Sequence, residues 1–236
     1  MADKTRVVGQ SRVFAYIISS VGAGYKLTGF VPWVRQGKVF FGPCKKRMRP
    51  DVCPGDYIMG ISGAEAGRPR RILLWMRVAK TMTFKEAYDM GRTDKIFRAL
   101  RGTAIHVRPR RFATFFPGEP GCYEHIRGAD HSENWPSDIR GTRDAFLVGE
   151  KSSWVIENEE APAVTEELVE LLKEGIRWKG HATLGNPLTE NARGKHAVVM
   201  GHTAEEIIAR VPKTKNPLYS SRLRTASACE RTCSCE

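Results

Sequence analysis

The stretch 40–63, FFGPCKKRMRPDVCPGDYIMGISG, constrains the fold more than any other part of this chain. It places a basic, cysteine-containing loop directly before a Pro54-Gly55-Asp56 turn, and that turn directly before a short apolar run, YIMGI at 57–61, which ends at Gly63. Proline presets φ and glycine supplies positive φ, so the tripeptide reverses the chain at a defined point. An apolar run bounded by two turns reads as a strand. A second run, RILLWMRVA at 71–79, follows the polar linker EAGRPR, so the two strands are expected to pair antiparallel.

The flanking segments extend this frame. Residues 12–20, RVFAYIISS, mix β-branched and aromatic residues in a run that suits a strand in the middle of a sheet. Gly22, Gly24 and Gly29 mark a loop in which Phe30, Trp33, Phe40 and Phe41 supply aromatic surface and Lys26, Arg35 and Lys38 supply charge. Thr83, followed three residues later by Glu86, is a capping box opening a helix over 83–90 that can extend toward Leu100. Residues 101–143 lack sustained periodicity and hold Pro109, Pro117, Pro120 and Pro136, which predicts a long irregular or functional insertion. A strand over 144–154, broken by Gly149, then leads to a helix over 165–175. Thr165 caps that helix, Glu166 and Glu167 sit in its first turn, and Leu168, Leu171 and Leu172 make an apolar stripe. Residues 203–210 form a further short helix, and 212–236 read as a basic, mobile tail. The expectation is an α+β fold in one domain over 1–211.

Lys and Arg total 38 against 26 Asp and Glu, a net charge of +12. Such an excess favours polyanionic partners through counterion release, with nucleic acid first among them; a solvated basic surface is the plainer alternative. No apolar run approaches the ~20 residues that span a bilayer, so no membrane partner is expected. The start MADKTRVVGQ lacks the apolar core of a signal peptide, so a cytoplasmic location is expected. The six cysteines are sparse and irregular, which predicts reduced thiols rather than a disulfide framework.

Five constellations can carry chemistry. Cys44, Lys45, Lys46, Arg47 and Arg49 form a basic loop in which guanidinium groups grip phosphate bidentately and lysines act as point charges. The alternative is a solvated loop with an inert cysteine. Trp33, Phe41, Trp75, Trp135 and Trp154 can stack a splayed base, although Trp75 lies inside RILLWMRVA and suits a core, whereas Trp33 and Trp135 fall in loops. His106, Tyr123, Glu124, His125, Arg127, Asp130, His131 and Asp138 supply groups for acid and base work. The spacing His125-x5-His131 matches no zinc pattern, so no metal and no other cofactor is predicted. Arg177, Lys179 and His181 follow a helix and either return basic groups to the same cleft or form a surface cluster. Cys229, Cys233 and Cys235 in the tail show no fourth ligand. The chain has no P-loop, dinucleotide fingerprint, nucleophile elbow, HExxH or zinc-deaminase signature, which moves nucleotide hydrolysis, hydride transfer and deamination down the order.

The blocks RVFAYIISS, FFGPCKKRMRPDVCPGDYIMGISG, RRILLWMRVAKTMTFKEAYD, RDAFLVGEKSSWVIENEEAP and GIRWKGHAT together resemble the nucleotide modification associated domain 2 family of bacteria and phages, over roughly residues 12–182. The order of basic loop, Gly-Asp turn and paired strands is also similar to the EVE, YTH and ASCH branch of PUA-like folds. These resemblances imply a curved five- or six-stranded PUA-like barrel with packed helices and a cleft that receives a flipped base. They match Cys44, Lys45 and Arg49 to the basic loop, Gly55 and Asp56 to the turn, and Gly180 and His181 to a late Gly-His element; the segment after Arg101 departs from the pattern. The implied function is nucleic-acid binding in a DNA base-modification or restriction setting, with DNA the leading partner and RNA the other. Two alternatives stay open: an enzyme that hypermodifies DNA bases, with Cys44, His125 or Asp130 as its catalytic groups, and a non-catalytic RNA-binding or assembly protein.

Overall fold

The computed structural model describes residues 11–18, 21–27, 32–43, 45–63, 68–111, 114–129, 134–174, 176–178 and 196–213. In chain order the elements are β1 (Val13–Ile18), β2 (Trp33–Arg35), β3 (Lys38–Phe41), β4 (Tyr57–Ser62), β5 (Ile72–Met82), α1 (Phe84–Met90), α2 (Lys95–Ala99), β6 (Val107–Pro109), β7 (Tyr123–His125), α3 (Trp135–Ile139), β8 (Phe146–Gly149), β9 (Trp154–Val155), α4 (Glu166–Glu174), β10 (Ile176–Trp178), β11 (His196–Val199) and α5 (Gly201–Arg210).

The fold is α+β, built on a mostly antiparallel nine-stranded sheet in the order β10-β11-β1-β4-β5-β8-β3-β2, with β9 also paired to β5. β1 lies inside the sheet, parallel to β4 from Val13↔Tyr57 to Ile18↔Ser62 and antiparallel to β11 from Val13↔Val199 to Tyr16↔His196. Two covered faces explain its continuous apolar run. β4 and β5 pair antiparallel, as the two apolar runs predict. The resemblance implies a smaller, closed sheet; here the sheet has nine strands, and among the described residues no ladder joins β10 to β2.

β5 is eleven residues long and, along the edge away from β4, serves two partners in succession. Its first half meets β9 at Leu74↔Val155 and Trp75↔Trp154, and its second half meets β8 from Val78↔Gly149 to Met82↔Phe146, with a register irregularity between Val78 and Lys80. The strand expected over 144–154 with a break at Gly149 is thus two strands, β8 ending at Gly149 and β9 starting at Trp154.

Strand alternation divides the apolar side chains between two cores. Val39, Phe41 and Leu147 join the core that α4 and α5 close with Leu168, Leu172, Ala204 and Ile207. Phe40, Phe146 and Val148 join the other, closed by Phe84, Phe97, Leu100, Ile105, Tyr123 and Ile139. Each large side chain buried in this way contributes about 1.5–3 kcal/mol of transfer free energy. Residues 101–143 are thus more than an irregular insertion: their β6–β7 hairpin and α3 supply much of the second core.

Local chemistry sets the remaining boundaries. The Thr83 side chain accepts from the Glu86 amide and the Glu86 side chain returns to the Thr83 amide, a complete capping box. The helix expected to run toward Leu100 instead stops at Met90, and α2 restarts after Asp94, whose side chain accepts from the Ile96 amide. Thr165 Oγ1 accepts from the Leu168 amide at the start of α4. Gly55 has φ 89°, a left-handed conformation that glycine adopts without penalty. The buried Asp56 that follows accepts from Arg12 Nη2 at 2.6 Å and Nε at 3.2 Å, and from the Cys53 amide at 2.8 Å. Burial by itself would lower the Arg12 guanidinium, but the hydrogen bonds and charge of Asp56 outweigh it and hold it above its ordinary value.

β2, β3 and β11 form where the residues predict loops, and β10 where they predict no strand. For β11 the run AVV at 197–199 is a usable signal, a β-branched apolar run after a polar segment. Phe40 and Phe41 lie in β3 and are buried rather than surface aromatics.

Candidate functional site

The basic loop is a folded turn. Lys45 takes a left-handed φ of 56°, and its carbonyl accepts from the Met48 and Arg49 amides at 2.8 and 3.1 Å. A short 3-10 turn over Arg49–Asp51 follows, with Pro50 as its second residue, and Met48 just before it is fully buried. This geometry drives Arg49 inward. Its guanidinium is 0% exposed, donates to the carbonyls of Arg143 (2.9 Å), Asp138 (2.8 Å), Pro43 (3.2 Å) and Ala145, and stands 5.3 Å from the Phe84 ring centre. The expectation that Arg49 grips phosphate is corrected on this point: its donors are committed to backbone carbonyls inside the protein.

The other loop cations differ from one another. Lys45 Nζ stands 4.7 Å from the Tyr16 ring centre. Lys46 Nζ donates to Ser137 Oγ at 2.6 Å and lies 3.7 Å from Asp138 Oδ1. Arg47 is exposed. Cys44 lies outside the described residues, as do Asp130, His131, Lys179, Gly180 and His181. Arg177 belongs to the backbone of β10, the short strand that follows α4. The three tail cysteines are also outside the described residues.

The sequence-predicted acid and base groups of the 101–143 segment meet in one place. His106 is fully buried just before β6; its Nε2 lies 3.8 Å from Asp138 Oδ2 on α3, and its ring meets Phe84 edge-on at 4.9 Å. His125, at the end of β7, stands 6.2 Å from His106 between ring centres. On its other side His125 stacks on Trp135, at 6.2 Å and an interplanar angle of 28°. The Asp138 carboxylate therefore faces Lys46 with one oxygen and His106 with the other, while His125 and Trp135, both half-buried, carry the cluster toward solvent. Chemically this is an aromatic face backed by a carboxylate, two imidazoles and an ammonium.

Tyr123 has a different role from acid–base work. Its hydroxyl donates to the buried Asp144 at 2.6 Å, and the same carboxylate accepts from the amides of Phe84 (2.8 Å) and Gly118 (3.1 Å). Burial first, and then the charge and hydrogen bond of Asp144, push the phenol far above its ordinary range. Tyr123 is a fixed donor that ties the hairpin to the start of α1. Glu124 pairs with Arg108 at 2.7 Å on the hairpin, and Arg127 is exposed two residues past His125.

The aromatic set divides by burial. Phe41 and Trp154 are 1% exposed and Trp75 is 7% exposed, with Trp75 against the Tyr57 ring at 5.0 Å. These three are core residues, which corrects their place among base-stacking candidates; an apolar strand pair buried on both faces leaves no ring open to a ligand. Trp33 and Trp135 are half-buried and pack on the second core. Two features went unmarked in the sequence. The run RPRR at 108–111 puts Arg108, Arg110 and Arg111 on an exposed strand end, and Phe116 is 59% exposed in the loop that follows.

Among the described residues no group of three or more His, Cys, Asp or Glu side chains is placed to hold a metal ion, and no helix is long and apolar enough to cross a membrane. No protein-family model, characterised protein or solved structure matches this chain.

Proposed function

We propose that this protein is a nucleic-acid-binding module of PUA-like character that acts in a DNA base-modification or restriction setting and holds a nucleobase against Trp135 and His125. The observation that carries the reading is the half-buried Trp135–His125 stack, with Lys46 beside it through Asp138. A half-buried aromatic pair can offer a π-face to a base, and stacking of this kind is worth ~1–3 kcal/mol per base. The net charge of +12 and the exposed Arg47, Arg111 and Arg127 support a polyanionic partner, and DNA is favoured over RNA by the sequence resemblance. The PUA-like reading is supported by the same resemblance and by a mixed sheet whose parallel pair, β1 and β4, lies beside the basic loop and turn.

Fluorescence anisotropy with labelled DNA, titrated at several salt concentrations, tests this. Binding is expected to fall steeply with salt, and Trp135→Ala to weaken it on the order of tenfold. Binding that is absent, or indifferent both to salt and to Trp135→Ala, overturns the reading.

A second reading, an enzyme that alters the bound base, is favoured by the buried Asp138–His106 contact behind His125, a carboxylate–imidazole arrangement suited to steering a proton. Mass spectrometry of nucleosides from cells expressing the protein decides between the two. New nucleosides that disappear with His125→Ala favour the enzyme, and unaltered DNA favours the binding module.

A further inference from the structure

We propose that Phe116 is a wedge that enters the base stack of duplex DNA next to the nucleotide held by Trp135 and His125. The inference rests on the nucleic-acid reading above and adds the substrate form, a duplex from which one base is unstacked.

Two adjacent phenylalanines have opposite fates. Phe115 turns back against Tyr123, edge-on at 5.6 Å, with Lys85 Nζ 5.5 Å above its ring. Phe116 stays 59% exposed. Burial of a phenylalanine is favourable, so a partner that covers this ring on its ordered turn gains from the contact.

The turn that carries Phe116 is held from both sides. The Glu119 amide donates to the Phe116 carbonyl at 3.2 Å, closing the turn, and the Phe116 amide donates to Cys122 Sγ at 3.4 Å. Cys122 in turn donates to the Thr114 carbonyl at 3.3 Å. Two residues past Phe116, Gly118 gives its amide to Asp144 at 3.1 Å and accepts from the Gly141 amide at 2.6 Å. A ring displayed on a fixed backbone loses little freedom when it inserts, which is the condition for an efficient wedge. Phenylalanine is among the residues that part base steps in this way.

The surroundings suit DNA. Arg110 and Arg111 are exposed at the end of β6, with Arg110 Nε anchored on the Tyr123 carbonyl at 2.9 Å, and Arg140 is exposed beside Gly141. Glu119 is exposed in the same turn, so a phosphate passing there meets one opposing charge. α3, which begins with Trp135, approaches the 120–122 turn at the end of the Phe116 loop, and the Gly141 amide just past α3 bonds the Gly118 carbonyl, so the loop and the helix are tied together. An apolar ring on a loop with exposed arginines before and after it in the chain fits a base step between phosphates better than an apolar protein surface.

The test uses the full chain and a duplex carrying 2-aminopurine at its centre, whose fluorescence rises when it is unstacked, with anisotropy of labelled duplex and single strand read in parallel. The wild type is expected to brighten 2-aminopurine several-fold. Phe116→Ala is expected to lose that rise and to weaken duplex binding on the order of tenfold, with single-strand binding unchanged. Phe116→Leu, which keeps an apolar side chain, is expected to restore the rise. Duplex binding by the wild type without any rise, or an undiminished rise with Phe116→Ala, overturns the wedge while leaving the nucleic-acid reading in place. Absence of binding to either form by anisotropy overturns both.

Discussion

The Arg49 guanidinium donates a 2.8 Å hydrogen bond to the main-chain carbonyl of Asp138, and so joins the basic loop to the helix that carries the acidic member of the candidate site. With Lys46 also reaching Asp138, the loop and α3 are positioned as one unit. Arg49→Ala leaves several buried carbonyls without a donor and is expected to cost more than about 3 kcal/mol, measured as a fall in denaturant midpoint. Arg49→Lys is expected to recover little of this, since an ammonium lacks the fork. The exposed Arg47 gives the contrasting outcome: Arg47→Ala should stay within about 0.5 kcal/mol of the wild type in stability. It should also reduce the salt slope of DNA binding by about one.

Tyr123 predicts an alkaline limit. Its pKa is raised in the folded protein, so between the ordinary phenol value near ~10 and the folded value the unfolded chain has lost a proton that the native state keeps. The stability contributed by the Tyr123–Asp144 bond is therefore complete below about pH 10 and declines above it. Unfolding free energies of wild type and Tyr123→Phe, compared across this range, should show a steeper alkaline fall for the wild type. Parallel curves would contradict the assignment.

The Arg12–Asp56 pair locks the turn before β4. Asp56 is fully buried and Arg12 retains some solvent, so Asp56→Ala is expected to cost about 2–3 kcal/mol, below the figure for a wholly dry pair. Chemical denaturation of the variant measures it. A loss under about 0.5 kcal/mol would mean the pair is only a surface contact.

Gly118 is the test of the rigid turn. It has φ 80°, and a Cβ there would collide with the backbone of Gly141. Gly118→Ala is expected to destabilise by more than about 2 kcal/mol and to diminish the 2-aminopurine response together with the Phe116 geometry. A variant as stable as the wild type would show that the 114–119 loop can rearrange freely.

Short-range physics was legible from the residues alone. The paired runs that became β4 and β5, the central placement of β1, the capping box at Thr83 and the Thr165 cap all follow from periodicity and local hydrogen bonding over a few residues. The grouping of His106, His125 and Asp138 was visible only as residue types in one segment; their distances depend on how a hairpin and a helix dock on the second core.

The charge excess, the Pro54-Gly55-Asp56 reversal and the cationic loop before it are all readable without coordinates, because they depend on composition and on backbone preferences within a single turn. Which cations face inward and which aromatics face out depends on packing between segments far apart in the chain. Arg49 and Arg47 are two residues apart with the same side chain, yet a left-handed Lys45 and a buried Met48 turn Arg49 toward four carbonyls and leave Arg47 in water. Phe115 and Phe116 part in the same way, because burial is set by what a segment packs against and not by the residue itself.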